Sequence, residues 1–135
     1  LMDKWSEIRA KLVDAQEELY QIGDQYRQSK DDLDTKWSFL HDFHKGLNQK
    51  FDEKHSLVLA AYAKMPDATE DMLKATVETI NRYRMVSEGE YRTRRRELER
   101  KYADLEDSYK RKYRKQEEVI EQLSSELKAC QVDEK

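Results

Sequence analysis

A single proline, Pro66, stands almost at the midpoint of a 135-residue chain whose two halves both carry helical patterning. Proline ends or kinks a helix because it lacks an N–H and its ring clashes with the preceding turn, and it drives the residue before it out of the α region. A chain rich in helix formers with one such interruption has few ways to fold. The spacing predicts helices over residues 2–64 and 67–131, a turn at 65–67 and a frayed tail at 132–135. Arms of nearly equal length can pair along their whole extent. The expected fold is therefore all-α, a long antiparallel helical hairpin forming one coiled-coil module over residues 1–135. The second arm opens on Asp67-Ala68-Thr69-Glu70, where Asp67 followed three residues later by Glu70 reads as a capping-box-like start.

Composition narrows the choice. Charged residues make up 41% of the chain and hydrophobic residues 37%, with a mean hydropathy of −1.12. Ordinary globular domains are nearer a quarter charged and half apolar, so there is enough apolar side chain for a narrow stripe but not for a compact core. Three glycines and one proline exclude a turn-rich β fold. Cys130 is the only cysteine, which rules out an intrachain disulfide and fits a reducing compartment. No window approaches 18 apolar residues. The opening Leu1-Met2-Asp3-Lys4-Trp5 is neither a signal nor a transit peptide, and a start on Leu1 fits an excised fragment or a tag remnant before Met2. The expected location is intracellular, cytoplasmic or nuclear, neither secreted nor transmembrane.

The apolar periodicity carries the fold reading. From Trp5 it runs through Ile8, Leu12, Ala15, Leu19, Ile22 and Tyr26 at alternating steps of three and four, a heptad seam. Ser29, Leu33 and Trp37 then make an eleven-residue step, after which heptads resume through Leu40, His44, Leu47, Phe51, Lys54, Val58, Ala61 and Met65. The second arm reads Leu73, Val77, Ile80, Arg84, Ser87 and Tyr91. It shifts to an eleven-residue period marked by Tyr91, Tyr102 and Tyr113, with Arg94, Leu98, Leu105 and Tyr109 between, and returns to heptads at Gln116, Ile120, Leu123, Leu127 and Cys130. Eleven-residue tracts relax the left-handed supercoil that heptads impose. If the chain reverses at Pro66, residue i lies opposite about 132 − i, and the slip at 26–37 faces 95–106, inside the other arm's eleven-residue tract. That coincidence favours antiparallel pairing. A compact bundle broken at Gly23, Gly46, Pro66 and Gly89 is the competing fold, but the seams run through all three glycines.

Residues 91–115 form a basic block: Arg92, Arg94, Arg95, Arg96, Arg100, Lys101, Lys110, Arg111, Lys112, Arg114 and Lys115. Eleven cations against Glu97, Glu99, Asp104, Glu106 and Asp107 leave a local charge of +6 in a chain of net −3. With interleaved tyrosines this resembles the footprint of a polyanion binder, directed at nucleic acid, an acidic filament or anionic lipid. The structural alternative is that the block faces residues 17–41, where Glu17, Glu18, Asp24, Asp31, Asp32 and Asp34 outnumber Arg27, Lys30 and Lys36, and sets the register of the pair.

Near the turn, residues 57–65 are apolar almost all round. Leu57, Leu59, Tyr62, Met65, Met72, Val77 and Met85 exceed what a two-helix seam hides, so a second copy or a partner is expected to cover them and build a helical bundle. Trp5, Trp37, Phe39 and Phe43 are likewise in excess. Chemistry is thinly represented. His41 and His44 share a helical face and His55 follows at eleven residues, yet no Glu-x-x-His motif, Gly-rich phosphate loop or nucleophile–base spacing accompanies them. The sequence thus points to a non-enzymatic structural or interaction module, a dimeriser, spacer or docking arm. Its expected partners are proteins, itself included, with no cofactor, metal or small-molecule substrate.

Overall fold

The computed structural model describes residues 3–133 and is a helical hairpin, two long helices packed against each other, with no strand among the described residues. Helix α1 spans Lys4–Lys64 and α2 spans Glu70–Asp133. The expected start at residue 2 and the tail residues 134–135 lie outside the described residues, while residues 132 and 133 are helical rather than frayed. Gly23 and Gly46 lie inside α1 and Gly89 inside α2, none with positive φ. The bundle of shorter helices is therefore not formed. A methyl group added at Gly89 would meet nothing within 4 Å. Gly89→Ala is expected to stabilise the chain by about 0.5–1 kcal/mol, since the native backbone suits alanine and the unfolded chain loses freedom. A thermal melt followed by circular dichroism checks it.

The helix ends differ from the expectation in one instructive way. Asp3 caps α1, its carboxylate accepting from the Ser6 backbone N–H at 2.7 Å. That bond from the Ser6 backbone, aided by the Ser6 side chain, holds the Asp3 pKa below the ordinary 3.8. A depressed folded pKa means the cap is fully in place above the unfolded value and is lost as pH falls through the folded one. Amide exchange in the first turn of α1 is accordingly expected to speed up on acidification, and in Asp3→Asn, which keeps the cap without the charge, to stay flat.

The second helix starts three residues later than the spacing predicts. Thr69, not Asp67, is its N-cap: the Thr69 hydroxyl accepts from the Met72 N–H at 3.2 Å, and the Leu73 N–H bonds the Thr69 carbonyl. Pro66 occupies the second position of a turn closed by the Ala68 N–H on the Met65 carbonyl at 3.3 Å, where its fixed φ belongs. Residues 65–69, rather than 65–67, make the connection. Thr69→Ala is expected to cost about 1 kcal/mol, read as a lower urea midpoint with unchanged slope.

The chain divides into two units, Leu1–Leu33 with Lys101–Lys135, and Asp34–Arg100. In the first unit Ile8, Ala15 and Leu33 are buried. Gln116 donates to the Ala15 carbonyl at 2.9 Å, and Tyr26 stacks on Tyr109 with centroids 4.2 Å apart. The second unit is the hairpin proper, with Leu98 buried, and its helices are tied by His44 to Glu88 at 2.7 Å and Asp52 to Arg84 at 2.8 Å. The anticipated register of 132 − i is met by His44 with Glu88 and by Trp37 with Arg95. Asp52 with Arg84 lies four residues from it and Tyr26 with Tyr109 three, which is one helical turn.

Burial tracks the expected stripe closely in α2, where Leu73, Val77, Ile80, Arg84, Ser87, Tyr91, Leu98, Tyr102, Leu105, Tyr109 and Tyr113 are half-buried or buried. Arg94 is the exception and is exposed. In α1 the stripe holds from Trp5 to Phe51 except at Ser29, which is exposed. Near the turn it drifts. Lys54, Ala61 and Met65 are exposed, and His55 and Tyr62 take the inward positions beside Val58. A step of four from Phe51 to His55 brings a ring rather than an ammonium between the helices, and burying an unpaired ammonium is the costlier choice.

Candidate interaction surface

The second unit carries an open groove of about 350 Å³ on one flank of the helix pair, walled by Phe43, Leu47 and Phe51 from α1 and by Tyr83, Val86 and Tyr91 from α2. Its floor is organised by His44. The imidazole stacks on Tyr91 with centroids 3.8 Å apart and planes 11° from parallel, and Nε2 donates to the Glu88 carboxylate on the neighbouring helix. Both helices supply exposed apolar side chains to this flank: Phe39 and Phe43, stacked 6.1 Å apart, and Tyr83 and Val86.

The flank continues toward the turn. Along α1, residues 39, 43, 46, 50, 53, 57 and 60 recur at steps of four and three, and along α2 so do 72, 76, 79, 83 and 86. At 100° per residue each set is a single stripe. The α2 stripe is Met72, Thr76, Thr79, Tyr83 and Val86, without a charge in a chain that is 41% charged. Its two threonines turn their hydroxyls back onto their own helix, Thr76 to the Met72 carbonyl and Thr79 to the Ala75 carbonyl, both at 2.9 Å. Their hydrogen-bonding needs are met locally, which leaves methyl groups to the surface.

The residues expected to form an apolar tip are all present but do not make one patch. Leu57, Leu59, Met65, Met72 and Met85 are exposed, while Tyr62 and Val77 are half-buried. Leu57 and Met72 belong to this flank. Leu59 is two residues from Leu57, and Met85 two from Tyr83, about 200° round the helix, so they lie on the other side. Sequence reading missed Tyr83, Thr76 and Thr79. The signal was present as a second four-three stripe one position beside the seam, and only the apolar members drew notice.

All eleven cations of the basic block are exposed. Their ion pairs run along α2 itself: Arg92 with Glu88, Arg94 with Glu90, Arg95 with Glu99, Lys110 with Glu106 and Arg111 with Asp107. Arg95 also lies over the Trp37 ring at 5.9 Å. These are solvated pairs four residues apart, each worth a few tenths of a kcal/mol. Arg96, Arg100, Lys101, Lys112, Arg114 and Lys115 have no ion partner among the described residues.

His41 is exposed and His44 is engaged with Glu88 and Tyr91. No group of three or more His, Cys, Asp or Glu side chains able to hold a metal occurs among the described residues. Nor, among them, is any helix long and apolar enough to cross a membrane. Cys130 is a half-buried free thiol. Fold and surface together define an all-helical hairpin with one largely apolar flank and one cationic stretch. No family model, curated protein or solved structure matches the chain.

Proposed function

We propose that this chain is a non-enzymatic coiled-coil interaction module that docks other helices in a protein assembly. The observation that carries the reading is the flank of the second unit, where Phe39, Phe43, Tyr83 and Val86 stay exposed side by side in a chain that is 41% charged. Apolar area of that kind on a thin two-helix unit marks a surface that another chain covers. The alternation of half-buried residues at three and four along α2 supports the coiled-coil description. Its eleven-residue tract at 91–113 supports a mixed heptad and eleven-residue period.

The test is lysine-directed cross-linking of the chain in its native setting, where Lys36 and Lys50 border the flank. Cross-links from these lysines to another polypeptide, a second copy included, are expected, and Phe43→Asp is expected to abolish them at unchanged helicity. Cross-links that persist in Phe43→Asp, or none in either protein, overturn the reading.

The exposed, partnerless cations at 96–101 and 112–115 favour one second reading, a polyanion-binding arm for nucleic acid, an acidic filament or anionic lipid. Counterion release makes such binding fall steeply with salt. Neutralising Arg94, Arg95, Arg96, Lys110, Arg111 and Lys112 to Gln should then flatten the salt dependence of binding to duplex DNA, RNA or anionic vesicles. If the unaltered chain binds none of these at low salt, this second reading falls.

A further inference from the structure

We infer that the apolar flank of the second unit is a self-association surface on which a second copy of this chain docks face to face. The two copies are related by a two-fold axis running across the hairpin at the level of residues 51 and 52. The inference rests on the interaction-module reading and names its partner.

The α1 stripe is complementary to its own reverse. Gly46 presents open space, with nothing within 4 Å of a methyl group added there, and Leu57 projects from the same stripe with 69% of its surface exposed. Laid antiparallel on itself about the midpoint of 51 and 52, α1 sets Leu57 of one copy into the Gly46 notch of the other. The same register sets the exposed ring of Phe43 over Ala60, large against small. It also sets Lys50 against Glu53, the only two charges of the stripe between residues 39 and 60. A knob meets a hole, a ring meets a methyl, and a cation meets an anion. All three matches come from one register, and two-fold symmetry makes each of them twice.

The α2 stripe gives the same axis independently. Reversed about Thr79, it places Met72 on Val86, Thr76 near Tyr83 and Thr79 on itself, with no charge opposing another. A single axis across the hairpin requires the two centres to lie at one level. His44 with Glu88 and Trp37 with Arg95 pair at 132 − i, and Asp52 with Arg84, beside the axis, at 136 − i, so the α1 centre lies level with residues 80–85 of α2. The near end of that span is within two residues, or about 3 Å, of Thr79.

The footprint is of the right size. From Phe39 to Ala60 the flank runs about 30 Å and is two helices, about 20 Å, wide. In plan this is roughly 600 Å² per copy before relief is added, close to the ~800 Å² per partner of a stable interface. The opposite flank is charged, since α2 there carries Lys74, Glu78, Glu88 and Arg92 around one exposed methionine, Met85. The result is a four-helix layer in which α1 lies on α1 and α2 on α2, every neighbour antiparallel.

Sedimentation equilibrium of the purified chain tests it. The wild type is expected to be dimeric. Lys50→Glu and Glu53→Lys should each weaken self-association at least about tenfold, because each turns two attractive pairs into two repulsive ones. An equimolar mixture of the two variants should restore it as a heterodimer, since both contacts are again opposite in sign. Gly46→Leu fills the notch and should disrupt the dimer while raising helix content, which separates a blocked surface from a failed fold. A monomeric wild type at concentrations on the order of 100 µM, or a dimer indifferent to both charge reversals and to Gly46→Leu, overturns the inference. A monomer that still gives Phe43-dependent cross-links to a different polypeptide overturns this inference alone and leaves the interaction-module reading standing.

Discussion

Leu98→Ala is expected to lower the stability of the chain by about 2–3 kcal/mol and its melting temperature by roughly 10 °C. The physical reason is the thinness of the core. Ile8, Ala15, Leu33 and Leu98 are the buried residues among those described, and Leu98, 8% exposed, is the one in the hairpin unit. A side chain with so few equals cannot be replaced by relaxation of its neighbours. Truncation therefore loses both the transfer free energy of the removed methyl groups and the contacts around them. The figure sits at the lower end of the leucine-to-alanine range because a two-helix seam leaves the site close to water. Two controls give the number meaning. Leu98→Met conserves volume and should cost under about 1.5 kcal/mol. Leu57→Ala removes the same atoms from an exposed position and should change monomer stability by less than about 0.5 kcal/mol. Urea unfolding followed by circular dichroism measures all three. Leu98 also lies within the basic block, between Glu97 and Glu99. Arg96→Gln, two positions away and exposed, is expected to leave the midpoint where it is, which separates the block's inward face from its outward one.

How far the sequence revealed this molecule depended on which interaction decided each feature. The two helices and the reversal at Pro66 were legible because backbone chemistry alone decides them: a proline without a donor, and long runs without a competing breaker. The inward stripe of α2 was legible because Leu73, Val77, Ile80, Tyr91 and Leu98 are apolar at a helical period, and burial follows area. The cap was misplaced because Asp67 and Thr69 are both good acceptors, and the choice falls to the turn. With the Ala68 N–H tied to the Met65 carbonyl, Thr69 is the residue left facing the first free amides of α2. The drift near the turn, where His55 and Tyr62 replace Lys54 and Ala61, was not legible because periodicity extended by rote ignores the cost of placing Lys54 between helices. The flank was half legible. Phe39 and Phe43 were visibly in excess, but Thr76 and Thr79 read as polar until their hydroxyls were seen bonded to the preceding turn.

Tyr91→Ala is expected to cost about 2 kcal/mol, and Tyr91→Phe less than about 0.5 kcal/mol. The contrast follows from what the ring does. It lies flat against His44 at 3.8 Å, forms part of the groove wall and is itself half-buried. Its plane rather than its hydroxyl therefore supplies the contact. Removing it takes away the surface that holds the imidazole in line with Glu88, so the 2.7 Å hydrogen bond between helices weakens along with the stack. His44→Ala should accordingly cost about 1–2 kcal/mol. The double variant should fall short of the sum of the two by about 0.5–1.5 kcal/mol, the coupling expected of an aromatic pair that shares a partner. Strict additivity would mean that His44 and Tyr91 act separately and that Glu88 alone sets the ring. A Tyr91→Phe variant as damaged as Tyr91→Ala would move the holding role to the hydroxyl. Either outcome would change the account of the groove. His44 with Glu88 is a place where polar groups from both helices meet beneath the groove, and a docking surface keeps its shape only while the side chains under it are fixed.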